Sequence, residues 1–333
     1  MSAFVRPVSD RALLLVLGAA LLVLFAVSLH QGPVALDWMA ALTRPRRSVH
    51  GVILWQVRMP RELLAIAVGV TLGLSGAALQ GLLRNPLAGP DLVGVTNCAA
   101  LGAVLTLYFG LAGLAWFALP LGGMLGAGLA VALVFMLAGR QASVLTLILA
   151  GMAINAIVSS LIALALNYSP NPFAMSEIVY WLLGSIANRS GNDLLAALPF
   201  MLAGWLTLLS CGRFLDALSL GEETAQSLGF AAQRMRWRAV VGVALCVGAA
   251  VSVSGNIGFI GLVVPHLLRP WVGYEPRRLL WSSALGGAVL LLAADIAVQW
   301  LSPGNELKLG VITALIGGPF FLHLIYRNRN ALT

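Results

Sequence analysis

Few side chains in this sequence could do chemistry, and those that could sit in or beside long apolar runs. Arg58-Met59-Pro60-Arg61 puts two guanidinium groups three residues apart at the mouth of one such run. Paired arginines can hold carboxylates bidentately, so the run reads either as a docking site for an acidic external partner or as side chains reaching lipid phosphates. Asp295 lies inside another apolar run. An ionisable residue there serves function, or else caps or hydrogen-bonds a neighbouring helix. His266 follows Pro265 in a short segment broken by Gly258 and Gly261, where it suits a ligand contact or a structural hydrogen bond. Met152 and Asn155, three apart, share a helical face and are candidates to line a pathway, although a Met in an apolar helix is usually packing. Glu222 and Glu223 open a short acidic stretch that Gly229 ends; the helix dipole favours acids there, and such a peg suits a soluble partner as well as it suits an ordinary loop.

What is absent excludes whole classes. The only lysine, Lys308, lies in Glu306-Leu307-Lys308-Leu309-Gly310, which cannot form a GxxxxGK[ST] phosphate loop. No HExxH motif, nucleophile elbow or paired-carboxylate spacing is present, so neither unaided ATP hydrolysis nor other enzymatic chemistry is expected, and no cofactor or metal site is assigned. Cys98, Cys211 and Cys246 have neither zinc nor CxxC spacing and read as small core residues.

The elements that must carry these groups follow from composition. The 333 residues are 60% hydrophobic and only 10% charged, against about 25% charged in soluble domains. Bilayer is the solvent that fits such a chain. A net charge of +8 made almost wholly of arginine raises nucleic acid as a partner, but the arginines punctuate apolar stretches instead of forming a stripe, so none is expected. Ten spans of transmembrane character are predicted, at 12–30, 62–83, 92–109, 114–138, 143–166, 193–211, 236–254, 258–270, 280–301 and 308–326. The first resembles a signal peptide after Arg6 and Arg11 but lacks a small-x-small cleavage site, and is read as a retained helix. The eighth, with Gly258, Gly261 and Pro265, reads as a broken or half helix.

Ten spans put both termini on one side. Thirteen basic residues (Arg6, Arg11, Arg84, Arg140, Arg213, Arg234, Arg236, Arg238, Arg269, Arg277, Arg278, Arg327 and Arg329) then share that side, against seven opposite. Positive-inside asymmetry makes it the cytoplasm. Five of the seven exceptions cluster from Arg44 through Arg46 and Arg47 to Arg58 and Arg61. A gapless shift of 179 residues superposes Ser75-Gly76, Pro86 and Gly94 on Ser254-Gly255, Pro265 and Gly273, which suggests two related halves arranged as inverted repeats.

Together these runs resemble one family, the FecCD-type permeases that import ferric siderophores, heme and cobalamin. The resemblance covers about residues 55–326. It rests on Arg58-Met59-Pro60-Arg61, Ser75-Gly76, Gln80-Gly81, Arg84-Asn85-Pro86-Leu87-Ala88, Gly94-Val95 and Leu149-Ala150-Gly151. It continues through Trp181-Leu182-Leu183-Gly184-Ser185, Leu220-Gly221-Glu222, Gly258 to His266, Ala294-Asp295 and Gly310 to Gly317. It implies an all-α, ten-helix permease of the type II ABC importer fold, a single transmembrane domain over 1–333. Such a chain pairs as a homodimer in the bacterial inner membrane, above two cytoplasmic ATPases that carry ATP and Mg, and is fed by a periplasmic binding protein.

The resemblance also assigns roles. Arg58 and Arg61 match arginines that dock the binding protein's glutamates. The loop 212–235 matches the coupling loop, with Gly221, Glu222, Glu223, Thr224, Ala225, Leu228 and Gly229 in the helix that meets the ATPase. Asn85 and Leu87 match the cytoplasmic gate, with Val144 and Leu145 in the turn beside it. Many relatives carry an arginine where this chain has Gln299. The stretches 169–173 and 186–190 resemble heme-type permeases, and Arg189 near the mouth of an apolar channel suits heme propionates; a ferric siderophore or a corrinoid passes the same test. Met152, Asn155, Arg189 and His266 are the expected pathway residues. The competing class is an ion-coupled secondary transporter, for which Asp295 is the main candidate group.

Overall fold

The computed structural model describes residues 9–32, 34–45, 47–139, 143–302 and 307–328. Arg6, Arg46, Arg140 and Arg329, and the side chain of Arg327, which entered the charge asymmetry above, lie outside what is described. All the regular elements of the described chain are helices. It opens with α1 (Asp10–His30), whose N-terminus is capped by Ser9 accepting from the Ala12 amide. Two short helices follow, α2 (Trp38–Thr43) and α3 (Val49–Val52), and a wide π-type stretch, Ile53–Arg58, runs into α4 (Met59–Leu82) with Pro60 in its first turn. Val49–Leu82 is thus one helical column of 34 residues. At about 1.5 Å per residue it reaches about 50 Å, against about 30 Å of hydrocarbon, so its first turns project beyond the core.

The chain continues through α5 (Val95–Tyr108), α6 (Ala118–Ala138), α7 (Val144–Asn167), α8 (Pro172–Leu182), α9 (Gly191–Ser210), α10 (Gly212–Ser219), α11 (Glu222–Ser227) and α12 (Ala232–Ser254). It ends with α13 (Ile260–Leu268), α14 (Pro276–Leu301) and α15 (Leu309–Asn328). Among the described residues, seven helical segments are long and apolar enough to cross a bilayer alone. The other three expected spans are α15, with 20 residues, and the short helices α5 and α13; α13, with nine residues, is the expected half helix. Helix α8 was not expected. Asn171 caps it by accepting from the Ala174 amide at 2.9 Å and Pro172 starts it, so the stretch 169–173 leads from a bend into the first residues of a helix.

Helices α4 and α12 form the buried centre, while α1, α6, α7 and α9 turn most of their residues outward. Close packing in lipid needs small residues. A β-carbon on Gly73 would stand 2.0 Å from the Ser283 carbonyl oxygen, so only glycine lets α4 and α14 touch at this depth. The gapless internal alignment is only partly structural. Gly94 and Gly273 both take left-handed φ, of 78° and 65°, ahead of the next helices, α5 and α14. Residues 260–268 are helical, however, whereas the matching chain breaks after Leu82 into a turn holding Pro86 and Pro90.

Candidate functional site

The molecule has two polar ends and a small cavity between them. At the first end α1 finishes, α4 begins and α14 finishes. Arg61 donates Nε to Asp295 at 2.9 Å and Nη2 at 2.8 Å, a bidentate pair whose carboxylate is 1% exposed. Gln299, one turn further along α14, donates to the same carboxylate at 2.8 Å. Asp295 thus hydrogen-bonds a neighbouring helix through an ion pair, as one of its two expected roles requires. Arg58 departs from expectation. It is buried, and its guanidinium donates to the carbonyls of Leu29 at 2.6 Å and Val34 at 2.5 Å. The reason lies in the chain: α1 ends next to it, and the carbonyls that follow a helix end need donors. Of the two arginines expected to face a partner, only Arg61 keeps part of its side chain, 23%, in the open.

In the middle lies a cavity of about 190 Å³, lined among others by Leu72, Leu87, Thr96, Ser254 and Phe259. Phe259 holds a left-handed φ of 68° at the joint between α12 and α13, and its ring sits where a β-carbon of Gly317 would be. Of the expected pathway residues none lines this cavity. Asn155 donates to the Asp91 carbonyl and ties α7 to the turn after α4. Met152 is exposed on α7. His266 meets Phe320 of α15 edge-on at 6.0 Å. Arg189 is half-buried in the loop between α8 and α9. That loop is non-helical backbone satisfied from inside: Ser185 donates to the Ser254 carbonyl at 2.7 Å and Gly310 to that of Gly184 at 3.1 Å. Lys308 lies 5.4 Å over the Tyr180 ring nearby.

The second end gathers the turn after α4, the start of α7 and the loop 212–235. Asn85 accepts from the Leu87 amide at 2.9 Å, a side-chain turn that leaves Leu87 exposed at the cavity edge. Ser143 caps α7 by accepting from Thr146, so Val144 is half-buried and Leu145 exposed. Gly221 and Gly229 bracket α11 with φ of 117° and 85°, conformations that favour glycine. Within the bracket Ala225 is fully buried, and Glu223, Thr224 and Gln226 face outward between exposed Leu220 and Leu228. Glu222 is bound at 2.6 Å to Arg236 of α12 and so anchors α11, although part of its side chain stays in the open. Helix α10, hidden from the sequence reading, is bolted to α14 where Asp216 accepts from the Arg277 amide at 2.8 Å. Burial pushes the Asp216 carboxyl above its ordinary range. A second unforeseen link is Gln80, which donates to the Leu262 carbonyl at 3.3 Å and accepts from Arg269 at 2.5 Å. Gln80 was legible only as part of a motif, because its partners lie more than 180 residues away.

Known proteins match this architecture along nearly its whole length. The FecCD transport family profile covers residues 19–327. The chain is 38% identical over 285 residues to the vitamin B12 import system permease protein of Vibrio cholerae, covering 85% of this chain and 86% of that one. It is 37% identical over 304 residues to the Fe(3+) dicitrate transport system permease protein of Escherichia coli K12, covering 91% and 94%. The hemin transport system permease protein of Yersinia pestis is 37% identical over 321 residues, covering 95% and 96%. Among solved structures, an inward-facing conformation of a metal-chelate type ABC transporter superposes with a TM-score of 0.86 at 35% identity, covering 95% of this chain and 99% of that one. Long apolar helices, a glycine-bracketed peg at one end and this set of relatives lead to one conclusion: the chain belongs to the FecCD transport family, as a multi-pass membrane permease of the ABC importer type.

Proposed function

We propose that this chain is the membrane-spanning subunit of an ATP-driven importer that carries an iron chelate, heme ahead of a ferric siderophore, across the bacterial inner membrane. The observation that carries the reading is α11, a six-residue helix bracketed by Gly221 and Gly229 and anchored by the Glu222–Arg236 pair, with Leu220 and Leu228 left uncovered. A fixed, half-apolar peg needs a socket, and a separate cytoplasmic ATPase subunit with ATP and Mg supplies it. Two permeases pair as a homodimer over two such ATPases. Both termini then lie in the cytoplasm, Arg61 faces the periplasmic binding protein, and Asn85, Leu87, Val144 and Leu145 form the inner gate.

Support for heme comes from the Yersinia pestis hemin permease, which aligns over 95% of the chain, and from Arg189 and Lys308 as cations for propionates. The Vibrio cholerae relative favours cobalamin as the second reading. Ion-coupled transport is disfavoured because Asp295 is engaged by Arg61 and Gln299. Uptake by proteoliposomes holding permease and ATPase, offered heme, ferric siderophores and cobalamin in turn, tests the substrate. Heme uptake above the others is expected; cobalamin uptake alone would replace it.

A further inference from the structure

The first end of the molecule holds one acid that the account above does not use. Glu62 follows Arg61 in α4, is 1% exposed, and its Oε2 has no hydrogen-bond partner among the described residues. No ion pair within 4 Å engages it there either. The charged groups that face it are Arg58 and Arg61 from its own helical column and Asp295 from α14; α1 contributes the Ser28 hydroxyl and α14 the Gln299 amide. Arg58 is turned away, onto the carbonyls of Leu29 and Val34. Arg61 is held bidentately by Asp295, which already balances its charge. Among the described residues the cluster therefore holds two buried carboxyl groups and one engaged guanidinium, which keeps 23% of its side chain in the open. A second carboxylate there would be a buried charge beside a like charge, with no guanidinium within 4 Å of it among the described residues, and such a group takes up a proton instead.

We propose that Arg61, Glu62, Asp295 and Gln299 form a proton-binding site in which Glu62 is the carboxyl that carries the proton. Neutral Glu62 leaves the Arg61–Asp295 pair intact. Loss of its proton to water adds one negative charge behind Arg61 and weakens that residue's hold on an acidic partner. This last consequence rests on the docking role proposed for Arg61; the proton site does not.

The test is infrared difference spectroscopy on the purified chain in lipid at neutral pH, wild type against Glu62→Gln. The expected result is a protonated-carboxyl C=O band, shifted in D₂O, that the substitution removes. Asp295→Asn is the second variant: it frees Arg61 to pair with Glu62, so the same band is expected to vanish with Glu62 still present. A wild-type spectrum in which Glu62→Gln removes only carboxylate bands overturns the proposal. Binding-protein affinity measured against pH then reads the consequence, with weakening at alkaline pH in wild type and a flat profile in Glu62→Gln. Matching profiles would overturn the link to docking. Absence of binding at every pH would instead count against the importer reading, with the infrared result unaffected.

Discussion

The two polar ends solve opposite problems. Where α1, α4 and α14 meet, charged side chains are spent on one another and on the chain's own backbone: Arg58 on two carbonyls, Arg61 on Asp295, Gln299 on the same carboxylate. At the other end the polar side chains lock a small element in place and leave its outer face bare, as Glu222 and Arg236 do for α11. The first end is tied inward and carries stability. The second is tied only at its root and carries contact. In such a molecule the cost of a substitution should depend on which end it strikes, with stability lost at one and assembly lost at the other.

Substitutions sharpen that contrast, with the large losses of stability at the first end and the small ones at the second. Asp295→Ala strips Arg61 of its bidentate carboxylate, and breaking a buried pair costs about 3–5 kcal/mol, of which a new pairing with Glu62 returns only part. A large fall in thermal unfolding temperature is expected, and the swap Arg61→Asp with Asp295→Arg should restore part of it; a variant as stable as wild type would remove the ion pair from the account. Arg58→Met removes two charge-assisted hydrogen bonds, each about 1.5–3 kcal/mol. It should expose the segment 31–52 to limited proteolysis while leaving the cleavage pattern of 212–235 unchanged. Leu228→Asp, on an exposed side chain, should change stability by less than about 0.5 kcal/mol, yet reduce the ATPase that copurifies with the permease. Glu222→Gln breaks a pair with one exposed partner, a loss of about 0–1 kcal/mol, and should loosen α11 enough to lower transport without unfolding the chain.

How much of this was legible in the sequence depended on range. Long apolar runs declared the spans, because about 20 residues of hydrocarbon-compatible chain admit few alternatives. Gly221 and Gly229 declared the peg, since each acts on its own backbone. The directions of Arg58 and Arg61 were hidden. They are the same residue type three apart, and what separates them is which atoms return beside each: the end of α1 for one, Asp295 from 234 residues away for the other. Helix α8 escaped because 11 residues opening with proline look like a loop when only apolar length is counted. Glu62 was overlooked inside the Arg58 to Arg61 motif, although an acid directly after two arginines at the mouth of an apolar run was a signal in plain view.

The central claim is that this polypeptide is a conduit driven from its second end. The direct measurement is accumulation of labelled chelate by proteoliposomes containing the permease, with and without its ATPase, under imposed proton and sodium gradients. The account predicts uphill accumulation only when the ATPase and hydrolysable ATP are both present. Accumulation by the permease alone under either gradient would contradict it.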